Sequence, residues 1–154
     1  MFGKKSAVVN RYQNYTKHIL SKKRLDFKMR MRKKKHGDER LSALSAIVFK
    51  DATKIASDPH AVFGNNKPLR LEIGCGKGGF IRGISKAEPE YDYIAMEKIS
   101  DVIVLAAERY AEDRGLGRLD PHGGWEAPDG KVYRGGEPYD IPEELRGNVR
   151  FVIG

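Results

Sequence analysis

The segment from Leu69 to Ala87 constrains this chain most. Leu69-Arg70-Leu71-Glu72-Ile73 reads as a short strand, bounded by Pro68 and followed at once by Gly74-Cys75-Gly76-Lys77-Gly78-Gly79. Phe80, Ile81, Ile84 and Ala87 then recur at helical spacing until Pro89. Tyr91–Met96 is a second strand ending at Glu97, and Ser100 is placed to cap a helix carrying Val102, Ile103, Ala106, Ala107 and Tyr110. Asn148–Ile153 reads as a third strand. Strand, glycine turn, helix, strand, helix is the grammar of an α/β domain with a parallel sheet, because parallel neighbours need a crossover between them. The expected strand order is 3-2-1, one half of a doubly wound sheet.

The flanking segments are less regular. Leu41, Leu44, Ile47, Val48 and Ile55 predict one helix from Asp38, its N-cap, to Ser57, stopped by Asp58-Pro59. A loop with the turn signal Gly64-Asn65-Asn66 follows. Residues 114–147, rich in glycine and proline, read as a surface excursion, since a long polar loop adds little closure entropy. Within it Trp125–Tyr133 predicts a small hairpin around Pro128-Asp129-Gly130.

Charge divides the chain. Residues 1–40 hold 14 Lys/Arg against 3 Asp/Glu, and the other 114 residues hold 15 against 18, which together give the net +8. Residues 1–37 thus form a basic arm, densest from Arg30 to His36, on a nearly neutral body spanning 38–154. Such asymmetry points to a polyanion, nucleic acid before an anionic membrane surface. The absence of an apolar period before Met29 places the expected natural start at Met29, with 1–28 an upstream extension. No run approaches the roughly 18 apolar residues of a membrane span, and no signal-peptide pattern follows the basic start. With a single cysteine, Cys75, an internal disulfide is excluded and a cytoplasmic setting is expected.

Gly74, Gly76 and Gly79 satisfy G-x-G-x-x-G between a strand and a helix, the context in which that pattern lets a ligand approach backbone. No Gly-Lys-Ser/Thr follows at P-loop spacing. Glu97 lies 21 residues after Gly76, where a carboxylate accepts ribose hydroxyls. Both a dinucleotide and S-adenosylmethionine fit that pair. Glu72 separates them, because a carboxylate inside the strand calls for a cationic partner. The ammonium of a methionine moiety supplies one; pairing with Arg70 or Lys77 is the structural alternative.

Val62-Phe63-Gly64-Asn65-Asn66-Lys67-Pro68, running into Leu71-Glu72-Ile73-Gly74-Cys75-Gly76-Lys77-Gly78-Gly79-Phe80-Ile81, resembles the tRNA (guanine-N7-)-methyltransferases of the bacterial single-chain type. So do Tyr93–Lys98 with Asp101–Val104, the basic Met29-Arg30-Met31-Arg32, and Asn148-Val149-Arg150-Phe151. The resemblance implies the N-terminal half of a Rossmann-like, S-adenosylmethionine-dependent methyltransferase sheet, preceded by a basic arm and a helix. It implies Glu72, Gly74, Gly76 and Glu97 at the cofactor. Arg30, Arg32, Lys33, Lys34 and Lys35 are expected to grip tRNA phosphates, with no membrane partner.

The chain also departs from that family. The family's Asp-Ala pair after the third strand and its Asp-Pro-Trp-Pro segment are absent, and 114–147 is an insertion. The expectation is therefore the front portion of a longer enzyme, or a prematurely ended frame, with the first strand an unpaired edge. Methyl transfer to guanine N7 attacks through an accessible lone pair, so no catalytic base or nucleophile, and no metal, is expected. His18, His36, His60 and His122 read as surface or loop residues, and Cys75 as a small side chain in the turn. The rivals are a fragment of an NAD-binding oxidoreductase and a non-catalytic RNA-binding protein with a vestigial cofactor fold.

Overall fold

A computed structural model describes residues 33–154. The expected start at Met29, the first part of the basic arm, and Arg30 and Arg32 lie outside the described residues. Helix α1 spans Gly37–Ala43, strand β1 Val48–Phe49 and helix α2 Thr53–Ala56. Strand β2 (Leu69–Ile73), helix α3 (Gly79–Ala87), strand β3 (Asp92–Glu97) and helix α4 (Ser100–Asp113) follow. Three short strands, β4 (Arg118–Leu119), β5 (Trp125–Glu126) and β6 (Val132–Tyr133), precede a 3-10 turn at Glu143–Leu145 and the last strand, β7 (Val149–Ile153).

The main sheet is parallel throughout, in the order β1-β7-β3-β2. Leu69 pairs with Asp92 and Ile73 with Met96, while Tyr93 pairs with Val149 and Glu97 with Ile153. The expected order 3-2-1 is present as β7-β3-β2, with β1 added outside β7. Side-chain alternation divides the interior in two. Tyr93, Ala95 and Phe151 face the larger cluster with Ile81, Ile103, Val104, Ala107, Leu41 and Leu44 from the helices. Ile94 and Val152 face the other way, against Ile55 and Phe63.

The helices are fastened to the strands at specific points. Arg82 of α3 makes a two-pronged ion pair with Asp113 of α4 at 2.6 and 2.8 Å. The Asn148 side-chain amide donates to the carbonyls of Ser85 and Tyr91. The Tyr110 hydroxyl accepts the Val149 N–H at 3.2 Å. At α1, Arg40 grips Glu108 of α4 through two bonds of 2.6 Å, both side chains buried.

Two expectations change. The single helix over 38–57 is instead α1, a turn, β1 and α2. Val48 and Phe49 pair with Phe151 and Val152, so a sheet partner more than 100 residues along overrides helical spacing in a β-branched stretch. The α1 N-cap is His36, in the left-handed conformation, and not Asp38; α4 begins at Ser100 with Ile99 as its N-cap. Residues 114–147 are also more than a surface excursion. They carry an antiparallel three-stranded ribbon and contribute Leu116, Trp125 and Ile141 to the main core. The Trp125 indole N–H donates to Leu116 O at 3.0 Å, satisfying the one polar group that burial would orphan. The expected hairpin is present, with Trp125 opposite Tyr133 and Gly130 at φ 85°.

Candidate cofactor site

The C-terminal ends of β2 and β3 bring the glycine turn and Glu97 together. Gly74 and Cys75 N–H both donate to Met96 O, at 2.8 and 2.9 Å, so the turn closes over the end of β3. Gly74, Gly76 and Gly78 have φ of 78°, 56° and 77°, a region that L side chains rarely adopt. A Cβ built on Gly74, Gly76 or Gly79 would meet nothing within 4 Å, so that face of the turn is open. Gly78 serves packing instead: its Cβ would lie 3.0 Å from the Ala106 Cβ, where α3 and α4 cross closely.

Glu97 stands at the mouth of the turn. One carboxylate oxygen accepts the Gly76 N–H at 3.1 Å and the other accepts the Ile99 N–H at 3.1 Å. Each keeps a lone pair for a further donor. Glu72 has a buried carboxylate oxygen with no hydrogen-bond partner, and burial raises its pKa above the ordinary carboxylate value. Among the described residues Arg70 pairs instead with Glu88 and lies over the Tyr91 ring. Glu72 therefore has none of the partners that the structural alternative offered. Cys75, buried between these carboxylates, has its thiol pushed up to about 12, by desolvation first and then by Glu72 and Glu97. A thiol with that pKa stays protonated and inert at neutral pH.

The structure thus brings Glu72, Gly74, Gly76 and Glu97 to one place. Of the expected phosphate-binding residues, Lys33 and Lys35 are exposed and Lys34 is half-buried. The Lys34 N–H donates to Asp101 in the first turn of α4, the helix that follows Glu97 at the C-terminal end of β3. Two contributors escaped the sequence reading. Arg109 of α4 donates to Lys77 O in the turn at 3.4 Å. Arg150 holds the Phe63-Gly64-Asn65 loop from β7, donating to Val62 O at 2.9 Å with its guanidinium over the Phe63 ring. Arg109 does not stand out by spacing or neighbours, and Arg150 stands in the Asn148-Val149-Arg150-Phe151 run with no role that the run itself assigns to it.

No cluster of metal-binding side chains occurs among the described residues, and none of their helices is long and apolar enough to cross a membrane. Residues 66–119 match a family model described as "Putative methyltransferase". Over 84 residues, 54% of this chain, the sequence is 42% identical to a tRNA (guanine-N(7)-)-methyltransferase of Listeria monocytogenes, covering 39% of that protein. It is 40% identical over 81 residues to one of the same name from Bacillus licheniformis, 53% of this chain and 38% of that one. The chain spans about two fifths of the length of the curated relatives it matches. The matched segment contains the whole strand–turn–helix–strand unit with Glu72 and Glu97. This α/β chain with its parallel sheet is thus similar in sequence, over about half of its own length, to the tRNA (guanine-N(7)-)-methyltransferases.

Proposed function

We infer that this chain carries the methyl-donor site of an S-adenosylmethionine-dependent methyltransferase forming N7-methylguanine in tRNA. The observation that carries the reading is Glu72, a carboxylate with a buried, unpartnered oxygen beside an open glycine turn. An unpaired buried charge is costly, and a cationic ligand relieves it. S-adenosylmethionine, when bound, supplies the electrophilic methyl group. Glu72 then accepts from its ammonium, Glu97 offers its spare lone pairs to the ribose hydroxyls, and Gly74 and Gly76 admit the ligand against backbone. Guanine N7 presents a lone pair, so the residues here need only bind and align; no proton has to be removed.

In this reading residues 1–37 are the basic arm, and 38–154 a methyltransferase domain with an insertion at 114–147. Arg30, Arg32, Lys33, Lys34 and Lys35 neutralise tRNA phosphates. Five such contacts give a log–log salt slope of roughly −3.5 to −4.5. Deleting residues 29–36 is expected to weaken tRNA binding and flatten that slope while leaving cofactor affinity intact.

Titration calorimetry with S-adenosylhomocysteine and NAD, side by side, tests the cofactor. Binding of the first alone is expected, weakened about 10- to 100-fold by Glu72→Gln, the loss of one charge-assisted bond. Binding of NAD, or S-adenosylhomocysteine affinity indifferent to Glu72, would refute the reading.

A further inference from the structure

Residues 114–147 touch α1 at both of its ends. At the C-terminal end the Tyr139 N–H donates to Ala43 O at 2.9 Å. At the N-terminal end the turn at 120–124 lies against His36: a Cβ built on Gly123 would stand 2.8 Å from the ring carbon Cδ2 of His36. Between these points Leu116, Trp125 and Ile141 share one core with Leu41 and Leu44. The segment is a strap across the helix into which the basic stretch leads.

The turn is firmly tied. One carboxylate oxygen of the buried Asp120 accepts the His122 N–H at 3.0 Å and the Arg134 guanidinium at 2.9 Å. The Asp120 N–H donates to Gly124 O, and its carbonyl accepts the Gly123 N–H. Gly123 has φ 92°, and its lack of a side chain lets the imidazole rest on backbone.

His36, which the turn seats, is the only non-glycine with positive φ among the described residues, at 57°. A side chain stays in that region where its surroundings over-determine it. Here the Gly37 N–H donates to Lys34 O at 3.1 Å, the Arg40 N–H to His36 O at 2.9 Å and the Lys34 N–H to Asp101 at 2.8 Å. The ring on Gly123 adds a hold from the strap. This left-handed corner joins α1 to the basic stretch and so sets the course of Lys33, Lys34 and Lys35.

The strap lacks the charge to hold a polyanion itself. Residues 114–147 carry 5 Lys/Arg against 7 Asp/Glu, and four of those cations pair with acids of the same segment. What it offers is geometry. A basic segment ordered before the encounter loses less conformational freedom on binding.

We propose that the 120–124 turn, with Asp120 and Gly123 as positioning residues, holds His36 in its left-handed corner and so presets Lys33, Lys34 and Lys35 for tRNA phosphates without touching the RNA. The proposal rests on the reading that these lysines grip phosphates.

Filter binding of the full chain to tRNA over a salt series, with amide exchange of the free protein by NMR, tests it. Gly123→Ala drives a Cβ into the His36 ring, and Asp120→Ala unties the turn. Each is expected to lower tRNA affinity about 3- to 10-fold, the cost of ordering the segment on binding. The salt slope is expected to stay the same, because the same phosphates are met once bound. The Lys34 and Gly37 amides should exchange roughly tenfold faster in both variants, while the sheet amides of Tyr93 and Phe151 keep their protection. Asp120→Asn keeps an acceptor for the His122 N–H and is expected to restore most of the affinity. His36→Asn tolerates the left-handed region but removes the ring, so Gly123→Ala should change nothing further in that background. A slope flattened by either turn variant would mean that the strap itself meets phosphate. Affinity or Lys34 and Gly37 exchange indifferent to both variants would mean that the corner needs no strap. Either result overturns the proposal. A wild type that binds no tRNA would refute the phosphate reading and the proposal with it, whereas affinity lost on deleting residues 29–36 but kept in both turn variants would refute the proposal alone.

Discussion

Replacing Arg40 with Leu removes one half of a buried ion pair that joins α1 to α4. Arg40 reaches both oxygens of Glu108 at 2.6 Å, and both side chains are nearly inaccessible to water. The single variant leaves Glu108 buried without its counter-charge, which costs about 3–5 kcal/mol. For a domain near this size that corresponds to a fall in Tm of roughly 10–20 °C. The Arg40→Leu/Glu108→Leu double variant buries apolar groups of comparable bulk and is expected to lose far less, or nothing. Urea unfolding of wild type, both single variants and the double variant gives the coupling energy directly. A loss below about 1 kcal/mol in Arg40→Leu, or additive losses in the double variant, would show that water reaches the pair and that the argument from burial is wrong. Arg40 also donates to Lys35 O at 3.3 Å and so ties the basic stretch to the same buried pair.

Three further outcomes are expected. Gly78→Ala presses a Cβ against Ala106 at a φ of 77° and should cost about 1–3 kcal/mol in chemical unfolding, whereas a neutral result would mean that α3 and α4 part easily. Cys75, with its thiol pushed up to about 12, should react with iodoacetamide at pH 7.5 only in denaturant; rapid labelling of the folded chain would contradict its burial. Burial raises the pKa of Asp92 against the pull of Asn65, Lys67, Arg150 and His60, and one of its oxygens has no partner. A raised folded pKa gives a stability contribution that is full below the usual carboxylate range and lost as pH rises through the folded value. Asp92→Asn should therefore melt at or above the wild-type temperature at pH 7, with the gain vanishing near pH 3; a lower Tm at pH 7 would show that the Arg150 attraction wins.

The unit from β2 to α4 was legible because its signals are local: alternation, three glycines at fixed offsets, and helical spacing after each turn. Glu97 was legible for the same reason, as an acid at the end of the next strand. Its bonds to the Gly76 and Ile99 amides were not, although they make it a clasp on the turn as well as a candidate ligand. Val48–Phe49 misled because two residues in a strand carry no period, and only β7 decides their state. Trp125 and Ile141 sit in a segment whose glycines and prolines suggest a loop, yet a few large apolar side chains suffice to bind it to the core. Arg150 looks like any strand arginine until the loop it holds, 88 residues earlier in sequence, is placed beside it.

The order of strands in the sheet carries a consequence for how the chain is made. The strand between β1 and β3 is β7, so Val48 and Tyr93 must both wait for residues 149–151 to be synthesised. The β2–α3–β3 crossover can form early, from contacts close in sequence, but among the described strands the one between β1 and β3 is made after both of its neighbours. Until then the emerging chain displays two unpaired apolar edges, at β1 and β3, and the nascent protein passes through a stage in which chaperone cover matters more than it does for the finished fold.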